Sequence, residues 1–411
     1  MRGLIRSARD GGAGRDDPGP GADAPRFVHI ITDEKFPDHA YTAFEAVAPG
    51  ASEYVLPGGS GELRYLKKID PTRVWKYAFL DPFFQRRLER ARAVFLHGLT
   101  NFGRELVCRS RHRTTFVWIG MGFDYYDLIY PDPSALLKEQ TRALCGDALD
   151  DAPPSWLGRA ARSIKARLHR YPERKLEAIG RIEYFAPVLE PEYHQLKGLY
   201  PDAFNRYVDW HYGASARLLD GDLGHREVTG RNVLVGNSAT PTNNHVEAFS
   251  LLSEIAPAFD GEVLVPLSYG SGPYREKVIE VGRALLGDRF RPLTEFLTFP
   301  EFMDRLASCS AVLMNQKRQQ GGGTLTAALY LGARVFIDPS NAFYPEYRDH
   351  GVILHSLAEL RERPELLTAP LSADERARNR KIVRDLRGWN AVLTKTKRLV
   401  ESLDAPDRQT D

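Results

Sequence analysis

AVLMNQKRQQGGGTLTAALYLGARVFID, residues 311–338, is the stretch whose reading decides the fold. Ala311 to Met314 is an apolar run of strand length, and Val335-Phe336-Ile337 is another. Between them a polar turn, Asn315 to Gln320, leads into three glycines, Gly321 to Gly323, and then into Thr324 with Leu325, Ala328, Leu329 and Gly332 at helical spacing. Strand, Gly-rich turn, helix and strand in that order make the repeating unit of a parallel sheet. The turn suggests its own chemistry. Glycine lets backbone approach a ligand closely, and the first N–H groups of a helix have no partner inside it. Those amides and the helix dipole favour an anion by about 0.3–1 kcal/mol, and up to about 2 where partly buried. Lys317, Arg318, Gln319 and Gln320 add donors at the same end. The plainer alternative is a helix capped by Thr324 after a flexible turn. GGGT lacks the GK[ST] ending of a nucleoside-triphosphate loop.

Working outward, the same plan recurs upstream. Asn232-Val233-Leu234-Val235-Gly236 reads as a strand that feeds the polar turn Asn237-Ser238-Ala239-Thr240-Pro241-Thr242-Asn243-Asn244-His245 and then a helix from Val246 to Ile255. Val263 to Leu267 is a strand followed by Ser268-Tyr269-Gly270, and Phe299 to Ser308 is a helix. Three polar turns after strands, on one edge of a parallel sheet, favour a phosphate-bearing ligand. In the first half, Arg26 to Ile31 is a buried strand leading to Thr32-Asp33-Glu34-Lys35. Tyr54-Val55-Leu56 is a strand, Val94-Phe95-Leu96 runs into His97-Gly98, and Thr115 to Ile119 runs into Gly120-Met121-Gly122-Phe123-Asp124. Gly180 to Glu192 reads as the last strand and turn of this half, and Trp389 to Leu403 as a late helix that packs back across the domain boundary.

The expected organisation is a disordered tail (1–25), a first Rossmann-like domain (26–213), a linker (214–230), a second domain (231–385), and a C-terminal helix and tail (386–411). The chain has 411 residues, 43% hydrophobic and 27% charged, which suits two globular α/β domains. A net charge of +2 from 56 basic and 54 acidic residues gives no general footing for nucleic acid. Cys108, Cys145 and Cys309 are odd in number and widely spaced, as in a reducing compartment, and form no metal pattern. No apolar run approaches the roughly 18 residues of a membrane span. One basic segment stands apart: residues 156–175 hold seven Lys and Arg against one Glu, with Trp156, Leu157, Ala160, Ala161, Ile164 and Leu168 on one helical side. It is either a solvated helix face or a surface lying on anionic lipid.

Three blocks, VLVGNSATPTNNHVEAF (233–249), VLVPLSYG (263–270) and RQQGGGTLTAALYLGARV (318–335), resemble the glycosyltransferases of family 56, which act on lipid-linked sugars. In the first half, Phe95-Leu96-His97-Gly98 and the stretch from Trp118 to Asp124 are similar to the family's HG and W–G–D features. The resemblance implies a GT-B fold of two Rossmann-like domains facing a cleft, with the donor nucleotide on the second. It implies transfer of an amino-deoxy sugar such as N-acetylfucosamine from a nucleoside diphosphate, dTDP foremost, to a polyprenyl-diphosphate-linked acceptor. The setting it implies is the cytoplasmic face of a bacterial inner membrane, with an anionic membrane surface as a partner. Asn237, Ser238, Thr240, Ser268 and Tyr269 would hydrogen-bond the donor's diphosphate or sugar. Arg318, Gln319, Gln320, Gly321, Gly322, Gly323 and Thr324 would hold the leaving diphosphate in place of a metal, so neither metal nor cofactor is expected. Asp124 is the first candidate for the base that takes the acceptor proton, followed by His97 and Asp33. The alternative within this fold is a catalytically silent sugar-nucleotide-binding or membrane-scaffold protein, separated from an enzyme by turnover of labelled donor. A nicotinamide-type Rossmann enzyme would need GxGxxG after the first strand, where this chain has TDEKFP.

Overall fold

The computed structural model describes residues 26–404 except 60, 112–113, 147–170, 217, 224–225 and 256–258. Two parallel sheets carry the fold. The first has seven strands in the order β3-β2-β1-β4-β5-β6-β7: β1 (Phe27–Ile30), β2 (Ser52–Pro57), β3 (Thr72–Val74), β4 (Ala93–His97), β5 (Phe116–Ile119), β6 (Tyr184–Ala186) and β7 (Arg206–Tyr207). The second has six in the order β10-β9-β8-β11-β12-β13: β8 (Asn232–Val235), β9 (Val263–Pro266), β10 (Phe290–Leu293), β11 (Cys309–Met314), β12 (Arg334–Ile337) and β13 (His355–Ser356). Central strands β1, β4, β5 and β12 are buried along their whole length, which is why they read as mainly apolar runs, with only His29, His97 and Arg334 as polar members.

Strand order reverses between β1 and β4 in the first sheet and between β8 and β11 in the second. In open α/β sheets ligands bind past the carboxyl ends of the strands at such a switch point. The turn after β11 and the turn after β8 flank the second one. The helix that follows the glycines, Gly322–Leu331, is buried from Leu325 through Leu331. It lies between its sheet and the helix Ala373–Arg387, so it is apolar on every side rather than amphipathic.

Two segments cross between the domains. The helix Trp389–Asp404 packs on Pro37–Val47 of the first domain, where Trp210 Nε1 donates to Thr396 Oγ1 at 2.9 Å and Lys395 pairs with Asp209 at 2.6 Å. In the other direction, residues 133–145 leave the first domain and dock on the second. Leu137 and Cys145 join its core, and Glu247 accepts from both the amide and the hydroxyl of Thr141 at 2.9 and 2.6 Å.

Several expectations need correction. Gly180 to Glu192 is not the last strand of the first domain, because the helix Glu190–Leu199 and strand β7, paired with β6, come after it. The segment 214–230 is not merely a connection: Leu218, Leu219 and Leu223 are buried in the core of the second domain. The Gly-rich helix opens at Gly322 with Gly321 as its N-cap, so Thr324 sits inside the first turn. Most of the basic 156–175 segment lies outside the described residues. Of its described part, Arg174 pairs with Glu105 at 2.9 Å, and buried Lys175 pairs with Asp127 at 2.5 Å.

Candidate active site

The edge of the second sheet is built around a turn that only glycine allows. Gly321 has φ +67°, and a Cβ there would come within 2.8 Å of Met314 Cε and 3.0 Å of Asn237 Cγ. Gly323 differs, since a Cβ on it would meet nothing within 4 Å. The N–H groups of Gly322, Gly323 and Thr324 are the helix's first donors, no side chain caps them, and Gly322 and Gly323 line the cleft cavity. Arg318 stands beside them. Its Nε donates to Gln320 Oε1 at 3.3 Å, and burial lowers the pKa of its guanidinium from the ordinary value. Among the described residues no carboxylate pairs with it, which leaves the cation available to an anion from outside.

Around this end the polar side chains form one network. The Asn243 carboxamide is its hub: Oδ1 accepts from Asn237 N at 3.0 Å and Gln316 Nε2 at 2.6 Å, while Nδ2 donates to Ser238 O at 2.9 Å and Thr240 Oγ1 at 2.8 Å. Gln320 Nε2 donates to Asn237 Oδ1 at 3.1 Å, Ser238 Oγ at 3.3 Å and Thr240 Oγ1 at 2.9 Å. Asn237 Nδ2 reaches the hydroxyl of exposed Tyr269 at 2.9 Å, and Ser268 is half-buried just past β9. The structure thus brings Asn237, Ser238, Thr240, Tyr269, Arg318, Gln320 and the glycine turn to one place.

The first domain's candidates are arranged otherwise. Asp124 is buried, and its carboxylate accepts from Trp118 Nε1 at 2.7 Å, Leu99 N at 2.9 Å and Met121 N at 2.9 Å. Burial pushes its carboxyl pKa up from the ordinary value, while these donors pull the other way. His97 is buried between His29 Nδ1 at 3.0 Å and the Tyr212 hydroxyl at 2.9 Å, and burial pushes its imidazole down to about 3, so it is neutral at working pH. Asp33 accepts from the amides of Arg64, Tyr65 and Leu66 at 2.7, 2.9 and 3.1 Å; those bonds, Arg64's first, hold its pKa below the ordinary value. Each of the three is occupied by the protein itself.

Between the two edges lies a cavity of about 220 Å³. Its walls include Phe36, Met121, Val188, Tyr212, Gly323 and Phe343, drawn from both domains. The edges also touch directly. Gln319 N donates to Tyr126 Oη at 2.7 Å, and Tyr126 in turn donates to Glu192 at 2.6 Å. Burial pushes the Glu192 carboxyl up to about 7, against the hydroxyls of Tyr125 and Tyr126. Tyr126, Glu192, Tyr212, Asn243 and Gln316 were not singled out in the sequence. Asn243 and Gln316 lay inside turns already marked, but nothing local distinguishes Tyr126, Glu192 and Tyr212 from core residues. Among the described residues no group of three or more His, Cys, Asp or Glu could hold a metal ion.

Two parallel-sheet domains facing a cleft, with a glycine turn and helix start at the second domain's switch point, are the architecture of the GT-B glycosyltransferases. Solved structures share the architecture. A glycosyltransferase from Rickettsia africae ESF-5 aligns with TM-score 0.58 at 10% identity, covering 92% of this chain and 98% of that one. A trehalose-6-phosphate structure from E. coli bound with UDP-2-fluoro glucose gives 0.57 at 9% identity over 92% and 98%. A UDP-forming trehalose-phosphate synthase from Burkholderia xenovorans gives 0.55 at 10% over the same shares. At such identities the likeness concerns the fold. A sequence comparison points to the same class: residues 221–363 match the model of 4-alpha-L-fucosyltransferase glycosyl transferase group 56. The matched stretch contains the whole polar network and the glycine turn, and the chain is a glycosyltransferase.

Proposed function

We propose that the chain transfers an amino-deoxy sugar such as N-acetylfucosamine from a nucleoside diphosphate, dTDP foremost, to a saccharide carried on a polyprenyl diphosphate. The carrying observation is the open amide end of the helix Gly322–Leu331 beside Arg318, a cation with no described carboxylate partner. A diphosphate placed there meets fixed N–H dipoles and a guanidinium in a partly buried cleft. Those groups stabilise the departing charge without reorganising. The cavity in front of it is lined by Phe36, Met121, Val188 and Phe343 together with the polar side chains of Tyr212, Ser215, Thr326 and Arg387, which suits a sugar that carries both apolar and hydrogen-bonding substituents. In this reading Asn237, Ser238, Thr240, Ser268, Tyr269, Gln319 and Gln320 orient the donor, and the leaving group needs no metal.

The acceptor side is the first domain, working at an anionic membrane surface on the cytoplasmic face of a bacterial inner membrane. Among the described residues no helix is long and apolar enough to cross a membrane. A thermal-shift series with dTDP, UDP, GDP and inorganic diphosphate tests the donor. At 100 times its dissociation constant the matching nucleotide should stabilise the protein by about 2.7 kcal/mol. The shift should persist in EDTA. A shift that appears only with added Mg²⁺ or Mn²⁺, or none with any nucleotide, would reject the reading.

A further inference from the structure

The first domain carries a surface that the donor site does not explain. Immediately after edge strand β3 the chain reads WKYAFLDPFFQRR (75–87). Four of its large apolar side chains point outward: Trp75 is 63% exposed, Tyr77 43%, Leu80 52% and Phe83 75%. Buried cores and half-buried helix faces do not look like this. Trp75 and Tyr77 meet edge to face with centroids 4.9 Å apart, and Tyr77 touches Phe79 at 6.0 Å. Phe79 in turn packs on Phe102, which anchors the row to the helix after β4. The tips are therefore held by structure beneath them.

Cations alternate with these rings. Lys76 Nζ lies 5.0 Å from the Tyr77 centroid, and the Arg86 guanidinium 5.3 Å from that of Phe83. From Thr72 to Arg92 there are six basic residues against two acidic ones, so this short stretch exceeds the +2 of the whole chain. One of the acids, Asp81, caps its own helix by accepting from Phe83 N at 2.9 Å. The surface follows the carboxyl end of β3 and so lies on the edge of the sheet that also presents Phe123, 66% exposed, after β5.

We propose that Trp75, Tyr77, Leu80 and Phe83, with Lys76 and Arg86, form the face by which this domain lies on an anionic lipid bilayer. A bilayer interface selects this combination: aromatic rings at the acyl boundary and long cationic side chains reaching the phosphates. A protein hot spot is instead a desolvated pocket ringed by neutral contacts, whereas these side chains project into solvent with cations among them. The face is read from its own residues; its service to a polyprenyl-linked acceptor at the cleft mouth rests on the function proposed above.

Flotation of the full chain with extruded vesicles tests it. Wild type should float with phosphatidylcholine containing phosphatidylglycerol, should not float with phosphatidylcholine alone, and should release as salt screens the charges. Trp75→Ser with Phe83→Ser should reduce partitioning at least about tenfold, and Lys76→Gln with Arg86→Gln should remove the dependence on anionic lipid. Both variants should keep the wild-type melting temperature and dTDP-induced shift. Flotation that survives both pairs, or that is lost instead with Arg159→Gln, Arg162→Gln and Lys165→Gln, overturns the assignment. So does a concentration-dependent dimer, without vesicles, that the Trp75 and Phe83 changes dissolve. If wild type floats as described yet no nucleotide shifts it, the donor reading fails and the lipid face stands.

Discussion

The two sheet edges that face each other across the cleft are built to one plan but arrange their polar groups differently. Both place polar residues directly after buried strands. On the first domain's edge those residues are turned inward. Asp124 ties the loops after β4 and β5 to the indole of Trp118, and His97 is closed between His29 and Tyr212. On the second domain's edge the polar atoms bind one another side by side, through Asn243 and Gln320, while the helix start has no side-chain cap and Arg318 has no carboxylate partner among the described residues. A polar turn after a strand therefore does not of itself mark a ligand site. What distinguishes the two is whether the polar groups are saturated from within.

Asp124 gives the largest expected effect. Three donors converge on its carboxylate, two of them buried, and Asp124→Asn would replace one oxygen by an amide that can only oppose a donor. Leaving a buried donor without its charged acceptor costs on the order of 3 kcal/mol. The variant should melt well below wild type, with donor binding and turnover falling together. If instead the melting temperature holds while kcat alone drops by the roughly 10²–10⁴ of a lost general base, the carboxylate acts on the acceptor proton and the contrast between the edges fails.

This residue also marks where the sequence stopped being legible. The parallel α/β plan was visible because β1, β4, β5, β8, β9, β11 and β12 are mainly apolar runs with turns at their ends. Edge strands β3 and β10 escaped notice. They are three and four residues long and contain Arg73 and Arg291 with Pro292, as suits strands half open to water. Strands β7 and β13 are only two residues each. The glycine turn and the helix after it were read directly, because Gly321's backbone requirement and the helix start are local properties. Asp124 and His97 were equally conspicuous, but their partners Leu99, Trp118, His29 and Tyr212 arrive from separate turns and strands. Nothing local says whether such a group faces a ligand or a neighbour. The crossing of residues 133–145 onto the second domain was invisible for the same reason.

The second edge can be tested without disturbing the fold, and the expected effect is somewhat smaller. A Cβ at Gly322 would lie 2.9 Å from Phe343 Cζ, so a substitution there confounds packing with binding. Gly323 has open space, which makes Gly323→Val the cleaner probe: it should fill the approach to the amides and leave the melting temperature nearly unchanged. Arg318→Ala removes the cation and should weaken nucleoside-diphosphate binding by about 2 kcal/mol, roughly 30-fold, the scale of a charge-assisted hydrogen bond. Wild-type nucleotide affinity in both variants would show that the open end of the helix holds no diphosphate.

The smallest effect is expected where the two edges meet. Gln319 belongs to the donor turn, and its amide donates to Tyr126 of the first domain, whose hydroxyl donates onward to Glu192. Tyr126→Phe removes one oxygen and both bonds. Tyr125 and the amide of Leu189 still donate to Glu192, at 2.6 and 3.0 Å, so that carboxylate keeps partners and the fold should hold. Gln319 N lies at a cleft that admits water, so its loss is the net value of one hydrogen bond, about 1 kcal/mol. If the contact positions the donor turn, the cost appears in nucleotide affinity, about fivefold, with kcat little changed. Gln319→Ala keeps the backbone bond to Tyr126 and removes only the carboxamide, so a loss of affinity there reports that side chain's own contact with the donor and not the bond between the edges. An unchanged dTDP-induced shift in Tyr126→Phe would mean that the donor turn is set wholly by its own domain, and that the two edges, though in contact, act independently.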